Sequence, residues 1–238
     1  MQTRVLKIGG ASLFAPQTEF NRLIEYLKSD VSLRNARTFL IVGGGETVES
    51  MRLLHNIYPQ LDPIAMHWRC IELLDATWQV AAELMDFCQP ITTSESLRQA
   101  FIHHTPNWYL VRPGAFYSPI LAQRLPANIS PDPSWKTTSD ALAWLLAILA
   151  KGDEVLLIKK ANCSSIQSLA QAAACGIVDS EIHRLHEALH WLNGSHVNAS
   201  FGDEPNVNRQ TLNPRSTPHP RISFLYDDQG WKIHHLVS

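Results

Sequence analysis

The sequence predicts an α/β fold whose sheet is covered by helices on both faces, and three observations predict it. A strand signal, Arg4-Val5-Leu6-Lys7-Ile8, ends at Gly9-Gly10, a helical pattern follows, and the same order then repeats. The second strand signal, Thr38-Phe39-Leu40-Ile41-Val42, is an unalternating apolar run, as expected of a parallel strand buried on both sides. Strands that alternate with helices in this way belong to a layered α/β domain.

Taken in order, the first helix shows Phe20, Leu23, Ile24 and Leu27 at the i, i+3, i+4, i+7 spacing of one buried face. The second strand stops at Gly43-Gly44-Gly45, and a helix is expected from near Thr47. Residues 65–87 read as a long helix, and 89–92 and 108–112 as shorter strands. Pro113-Gly114 and residues 126–133 carry turn and loop chemistry. A further helix is expected from near Ser139, with Ser139 or Thr138 as its cap and Asp140 in its first turn. Residues 154–158 read as a buried strand, 166–175 as a helix stopped by Gly176, and Asp179 as the cap of a helix running to Leu192. The tail differs in character. Residues 206–220 are polar and punctuated by proline, and 221–226 and 231–237 flank Asp227-Asp228-Gln229-Gly230, a hairpin signal. One domain over 1–201 is expected, with the tail 202–238 packed on it.

Composition narrows the function classes. With 20 Lys+Arg against 22 Asp+Glu in 238 residues, no basic excess exists to neutralise phosphate backbones, so nucleic acid is not an expected partner. The longest apolar run, from Ala141 to Ala150, is about half the roughly 20 residues a bilayer span needs, so no membrane partner is expected. The four cysteines, Cys70, Cys88, Cys163 and Cys175, form no CxxC pair, and no secretory signal pattern opens the sequence. Reduced thiols and a cytoplasmic location are the corresponding expectation.

Two glycine turns at the carboxyl ends of predicted parallel strands are the most informative feature. Glycine lets the backbone approach a phosphate closely, and the following helix supplies free amides and partial positive charge. Tight strand-to-helix turns also use glycine for backbone reasons alone; two on successive strands, one of them a triple, favour phosphate binding. Neither turn matches GxxxxGK[ST] or GxGxxG. Lys7 interrupts an apolar strand just before the first turn, where an ammonium either meets a transferring phosphoryl group or reaches past the strand end to water. Asp140 is either a helix-dipole partner or the carboxylate that fixes such a lysine. His183, His186 and His190 share one helical face without accompanying cysteine or acid ligands and read as surface or partner-facing, so no metal site is expected. Trp68, Trp78, Trp144 and Trp191 fall on helical stretches and read as core or subunit interface.

Three segments in order, Lys7-Ile8-Gly9-Gly10-Ala11-Ser12, Val42-Gly43-Gly44-Gly45-Glu46 and Trp135-Lys136-Thr137-Thr138-Ser139-Asp140, resemble the motifs of the amino acid kinase superfamily, which includes acetylglutamate, aspartate, uridylate and isopentenyl phosphate kinases. The nearest resemblance is to the aminomethylfuran phosphate kinase subgroup of methanofuran biosynthesis and its bacterial relatives. It is carried by Ser134 to Asp140, Gly176-Ile177-Val178-Asp179, the stretch His67 to Asp75 and Val197-Asn198-Ala199, and spans residues 1–201. The resemblance implies a three-layer αβα sandwich around a mainly parallel sheet, ATP as donor, Mg²⁺ on its phosphates and a homodimer. It implies that Lys7 stabilises the transferring phosphoryl group and that Asp140 orients Lys7. Gly9, Gly10, Ser12, Gly43, Gly44 and Gly45 would line the phosphates, Lys159, Lys160 and Asp179 would face the nucleotide, and His67 and Ser139 the acceptor.

Two departures stand out. Where the family commonly reads TDVDG, this chain reads Lys159-Lys160-Ala161-Asn162-Cys163, and no GGM…K segment supplies a second phosphate lysine. Lys159 or Lys160 could take that place, or could mark a solvated strand end. The expected function is an ATP-dependent kinase of a small phosphorylated acceptor in methanofuran-like C1-carrier synthesis. The alternatives are a non-catalytic nucleotide- or anion-binding protein of the same fold, and a kinase of another acceptor.

Overall fold

The structure, a computed structural model, describes residues 1–190 and 219–236. The first repeat comprises β1 (Thr3–Ile8), the short α1 (Gly10–Leu13), α2 (Gln17–Ser29) and α3 (Val31–Arg34); β2 (Arg37–Val42), α4 (Glu46–Ile57) and α5 (Pro63–Leu84) form the second. Next come β3 (Gln89–Ile91), α6 (Ser94–Ile102), β4 (Asn107–Val111), α7 (Pro119–Ala122), α8 (Ser139–Ala150), β5 (Glu154–Lys159), α9 (Leu169–Ala174) and α10 (Ser180–His190). β6 (Arg221–Asp227) and β7 (Trp231–His235) close the described chain.

These strands form one 7-stranded sheet in the order β3-β4-β2-β1-β5-β6-β7, parallel throughout except for β7, which returns antiparallel on β6. The expected hairpin is therefore the edge of the central sheet. Its turn places Gln229 and Gly230 at φ 54° and 138°, the region a tight hairpin requires.

The two-residue period of the strands sorts the core into two layers. Val5, Phe39, Ile41, Tyr109, Val155, Leu157 and Phe224 point to one face and pack with α8 and α10. Leu6, Ile8, Leu40, Val42, Leu110, Leu156, Ile158 and Leu225 point to the other and pack with α2. The long helix α5 contributes to both, through Ile71 and Leu74 on the first and Trp78 and Ala81 on the second. Every residue of α8 is buried, so this helix, apolar all round, is a central element of the first layer. Trp144 within it is fully enclosed, Trp78 is buried, and Trp68 packs partly buried on the same core.

Helix limits differ from expectation where a cap decides them. The Asp62 carboxylate accepts from the amides of Ile64 and Ala65, so α5 starts earlier than its apolar periodicity suggests. Ser168 caps α9, delaying it beyond Ile166. The helix α6 has no counterpart in the sequence reading; a Thr93–Ser96 capping box starts it. The expected helix end at Leu192, Trp191, Val197-Asn198-Ala199, the domain limit after 201, most of 206–220 and Val237 lie outside the described residues. No helix among the described residues is long and apolar enough to cross a membrane.

Candidate active site

Strand alternation brings the charged residues together. Lys7 shares a face with Val5, so its side chain leaves β1 toward α8. It stands opposite Leu157 in the parallel register, and Lys159 emerges on the same face two residues further, about 7 Å along β5. The helix α8 starts at the same end of the strands. There Thr138 Oγ1 accepts from the Asp140 amide and fixes the first turn.

The Asp140 carboxylate bridges the two lysines. Lys7 Nζ lies 2.8 Å from Oδ1 and Lys159 Nζ 2.7 Å from Oδ2, with side-chain exposures of 10 %, 13 % and 5 % for Lys7, Lys159 and Asp140. Burial alone would raise the Asp140 pKa, but Lys159 and Lys7 outweigh it and hold the carboxyl well below the usual carboxylate range. Burial lowers the Lys159 pKa, Asp140 opposes that shift, and the Lys7 charge adds to it. The group is a buried cluster of two cations on one anion, with a net positive charge available to a further anion.

The glycine turns lie side by side, joined by the Gly43 amide donating to Ile8 O at 2.9 Å. Most of their glycines are demanded by this packing. A Cβ on Gly10 would stand 1.9 Å from Gly45 N, one on Gly43 would stand 2.8 Å from Ser139 Oγ, and one on Gly44 2.2 Å from Val48 Cγ2. Gly45 in addition takes φ +54°. Gly9 is different. Its φ is −61°, and a Cβ there would meet only Ile158 O at 3.6 Å and Lys7 Nζ at 3.8 Å, both ordinary contacts. Neither backbone nor packing requires glycine at 9; a side chain there would stand against the Lys7 ammonium.

Two cavities open at this end of the sheet. The first, about 240 Å³, takes in Lys7, Gly43, Gly44, Gly45, Ser139 and His67, with apolar walls from Val48, Ile71 and Leu74. Cys70 also lines it, its thiol pushed up to about 11 by burial and therefore a poor nucleophile. The second, about 300 Å³, is lined by Ser12, Lys159, Lys160, Phe20 and Trp231 among others. One lysine of the cluster thus faces each cavity.

Several expected site residues hold structure instead of offering free groups. Both ring nitrogens of His67 are occupied, Nδ1 with Ser134 O at 3.2 Å and Nε2 with the Tyr117 hydroxyl at 3.1 Å. Burial lowers its pKa, so the neutral ring donates through Nδ1 and accepts through Nε2. His67 therefore borders the first cavity as a brace for the loop at Ser134, with no nitrogen left for an acceptor. Asp179, expected at the nucleotide, lines neither cavity. Its carboxylate accepts from the Thr138 and Ala141 amides, the Thr138 hydroxyl and the Ile182 amide, tying the starts of α8 and α10 together. Lys160 is half-exposed and 3.8 Å from the Glu19 carboxylate at the rim of the second cavity.

Two residues that line the first cavity were given no role by the sequence reading. Arg52 and Trp135 line it, and the Trp135 indole N–H donates to His55 Nδ1. Trp135 stood inside a recognised segment, but no spacing rule pairs it with a helix 80 residues earlier. The sharing of Asp140 by Lys159 was within reach: a lysine ending an apolar strand, on the face set by period two, points at the same helix start as Lys7.

No family model matches this sequence, and no curated protein does. Solved structures do. The UMP kinase from Bacillus anthracis superposes with a TM-score of 0.51 at 13 % identity, over 98 % of this chain and 99 % of that chain. A uridylate kinase from Archaeoglobus fulgidus gives 0.50 at 14 % identity over 80 % and 87 %. A UMP kinase from Ureaplasma parvum gives 0.50 at 12 % over 78 % and 85 %. At these identities the likeness is one of fold, and the chain has the amino acid kinase fold.

Proposed function

We propose that the chain is an ATP-dependent kinase that transfers the γ-phosphoryl group to a small anionic acceptor. The observation that carries this reading is the shared carboxylate. Asp140 holds Lys7, which lines one cavity, and Lys159, which lines the other, at the carboxyl edge of a parallel sheet where ligands of such sheets bind. The donor occupies the second cavity beside Ser12 and Lys159, and the acceptor the first, beside the glycine turns and Ser139. The bond between the γ-phosphorus and its bridging oxygen breaks, an acceptor oxygen bonds to that phosphorus, and ADP leaves with the electron pair. Lys7 and Lys159 meet the charge on the transferring group, so catalysis is positioning and electrostatics.

The groups around the first cavity support an acceptor oxygen that is already anionic. Asp140 is held by two ammoniums, His67 has no free nitrogen, and Glu49 is mostly exposed and lies 3.4 Å from Arg52. A neutral hydroxyl would find no base seated among these residues, whereas a phosphate or carboxylate needs none. Mg²⁺ supplies charge neutralisation on the donor phosphates when bound. Ammoniums, hydroxyls and backbone amides suit phosphate oxygens, and no group of three His, Cys, Asp or Glu among the described residues has metal-ligand geometry, so the ion would be held through the phosphates. On the strength of the Ser134 to Asp140 and Gly176 to Asp179 segments, we extend the reading to a phosphorylated acceptor in methanofuran-like C1-carrier synthesis.

Thermal shift and product analysis test it. ATP with Mg²⁺ at a hundredfold excess over its Kd should raise Tm by about 5 °C or more, and NAD should not. Incubation with a panel of small phosphomonoesters and carboxylates should yield ADP and a phosphorylated acceptor. No shift with ATP, ADP or a non-hydrolysable analogue rejects the kinase. A shift without product on any acceptor favours the anion-binding alternative, which the acid-free loop after Ile158 supports.

A further inference from the structure

We propose that Trp135 is the latch of the acceptor cavity: it fastens α4 across the outer side of the first cavity, His55 positions it, and the acceptor enters when this contact opens. The word acceptor rests on the kinase reading above; the latch itself rests on four observations.

The wall is weakly held. None of the 12 residues of α4 is buried, and Leu53, Leu54 and Ile57 on it are 61 %, 43 % and 56 % exposed. Val48 packs partly buried against the core, and the same helix turns Val48, Glu49 and Arg52 into the cavity. A helix so placed opens at little cost in buried apolar surface.

The tie that does exist is specific. An indole N–H can only donate, and it meets Nδ1 of His55, near the far end of α4. His55 Nε2 lies 3.2 Å from Leu61 O, so Nε2 carries the proton and Nδ1 is left to accept. The Arg52 guanidinium sits 5.6 Å from the centre of the Trp135 ring, adding a cation–π contact from the same helix.

The other side of the latch is fixed. The carbonyl of Ser134 is braced by His67, and Thr137 Oγ1 donates to Asp132 O, so the loop holds Trp135 from both flanks. The Asp132 amide is in turn bonded to the buried carboxylate of Glu181 at 2.7 Å. A rigid loop carrying the ring and a loosely packed helix carrying its acceptor make α4 the part that moves. The hinge is at hand: Gly45 at φ +54° precedes the helix. Four residues separate Trp135 from Asp140, so closing the wall and seating the lysine cluster involve one segment.

Hydrogen exchange on the full chain tests this without an identified acceptor. Trp135→Phe keeps the ring and removes the donor; His55→Ala removes the acceptor; His55→Asn leaves an amide oxygen near the Nδ1 position. Amides of residues 46–57 should exchange about fivefold faster or more in Trp135→Phe and His55→Ala, as for loss of one hydrogen bond, and near the wild-type rate in His55→Asn. Amides of β1 and β2 serve as the internal reference and should not change. Unchanged exchange in α4 overturns the latch, and so does a uniform acceleration across α4 and β2, which would make the contact one of global stability. The thermal shift with ATP, on the donor side, should persist in Trp135→Phe. Its absence in the wild-type chain would reject the kinase reading while leaving the exchange result to decide the latch.

Discussion

At the scale of single residues, Asp140 decides both stability and chemistry, and the two effects are separable. Replacing a buried carboxylate that serves two buried ammoniums leaves like charges facing each other in a region of low dielectric. Breaking a buried ion pair from one side typically costs about 3–5 kcal/mol. Asp140→Asn is therefore expected to lower Tm by roughly 6 °C or more in a chain of this size. Adding Lys159→Met to Asp140→Asn removes one of the stranded charges and should recover a good part of that loss in a thermal melt. No such recovery would mean that the lysines do not share the carboxylate. Activity should not recover with stability, because phosphoryl transfer still lacks an oriented Lys7; about 10²-fold or more should be missing in kcat. The carboxyl stays ionised through the usual carboxylate range, since its pKa is depressed by the lysines against its burial. The stability it contributes is present above the unfolded pKa and is lost only as pH falls through the depressed folded value.

At the scale of elements, the glycine turns separate packing from function. Gly10→Ala places a Cβ 1.9 Å from a backbone nitrogen of the facing turn, where no side chain can swing away, so the variant should be strongly destabilised or fail to fold. Gly9→Ala meets nothing nearer than 3.6 Å, and its backbone already lies in a region open to alanine. It should melt within about 0.5 kcal/mol of wild type, the usual range for a substitution free of clashes, yet lose most of the stabilisation by ATP because the methyl group takes up the space beside the Lys7 ammonium that a γ-phosphate oxygen would fill. A Gly9→Ala chain with its full ATP shift would remove phosphate from the place assigned to it. The turns also show what the sequence makes legible. Two glycine-ended apolar strands were enough for the fold class; they marked Lys7, Asp140 and the turn glycines as candidates, each with a structural alternative, and the resemblance supplied the roles. Period two would have added that Lys159, already expected at the nucleotide, shares Asp140 with Lys7. What could not be read was contact between distant segments: that Asp179 caps two helix starts, that both nitrogens of His67 are occupied, and that Trp135 reaches His55. Each depends on loop paths that local propensity does not specify.

At the scale of the whole molecule, the sheet carries charge at both ends of its central strands, and the two ends do different work. At the amino end of β5, the buried Glu154 carboxylate takes Arg4 Nε at 2.9 Å from β1 and the Ser223 hydroxyl at 2.6 Å from β6. Arg221 and His235 each approach it to 3.4 Å, so one carboxylate joins β1, β5, β6 and the returning edge strand β7. It therefore fastens the terminal hairpin to the strand that carries Lys7. Glu154 and Lys159 are the two ends of one strand of 6 residues, about 16 Å apart along it. Glu154→Gln keeps the size and one acceptor oxygen but leaves the buried Arg4 guanidinium without its counter-charge. About 3 kcal/mol of stability should be lost, and exchange should quicken first in β6 and β7, whose tie to β1 is broken. The phosphate-facing end should be untouched, so the thermal shift with ATP, measured from the lowered Tm, should keep its wild-type size. A variant that loses the shift together with the stability would couple the two ends of the sheet and contradict the division of labour between them.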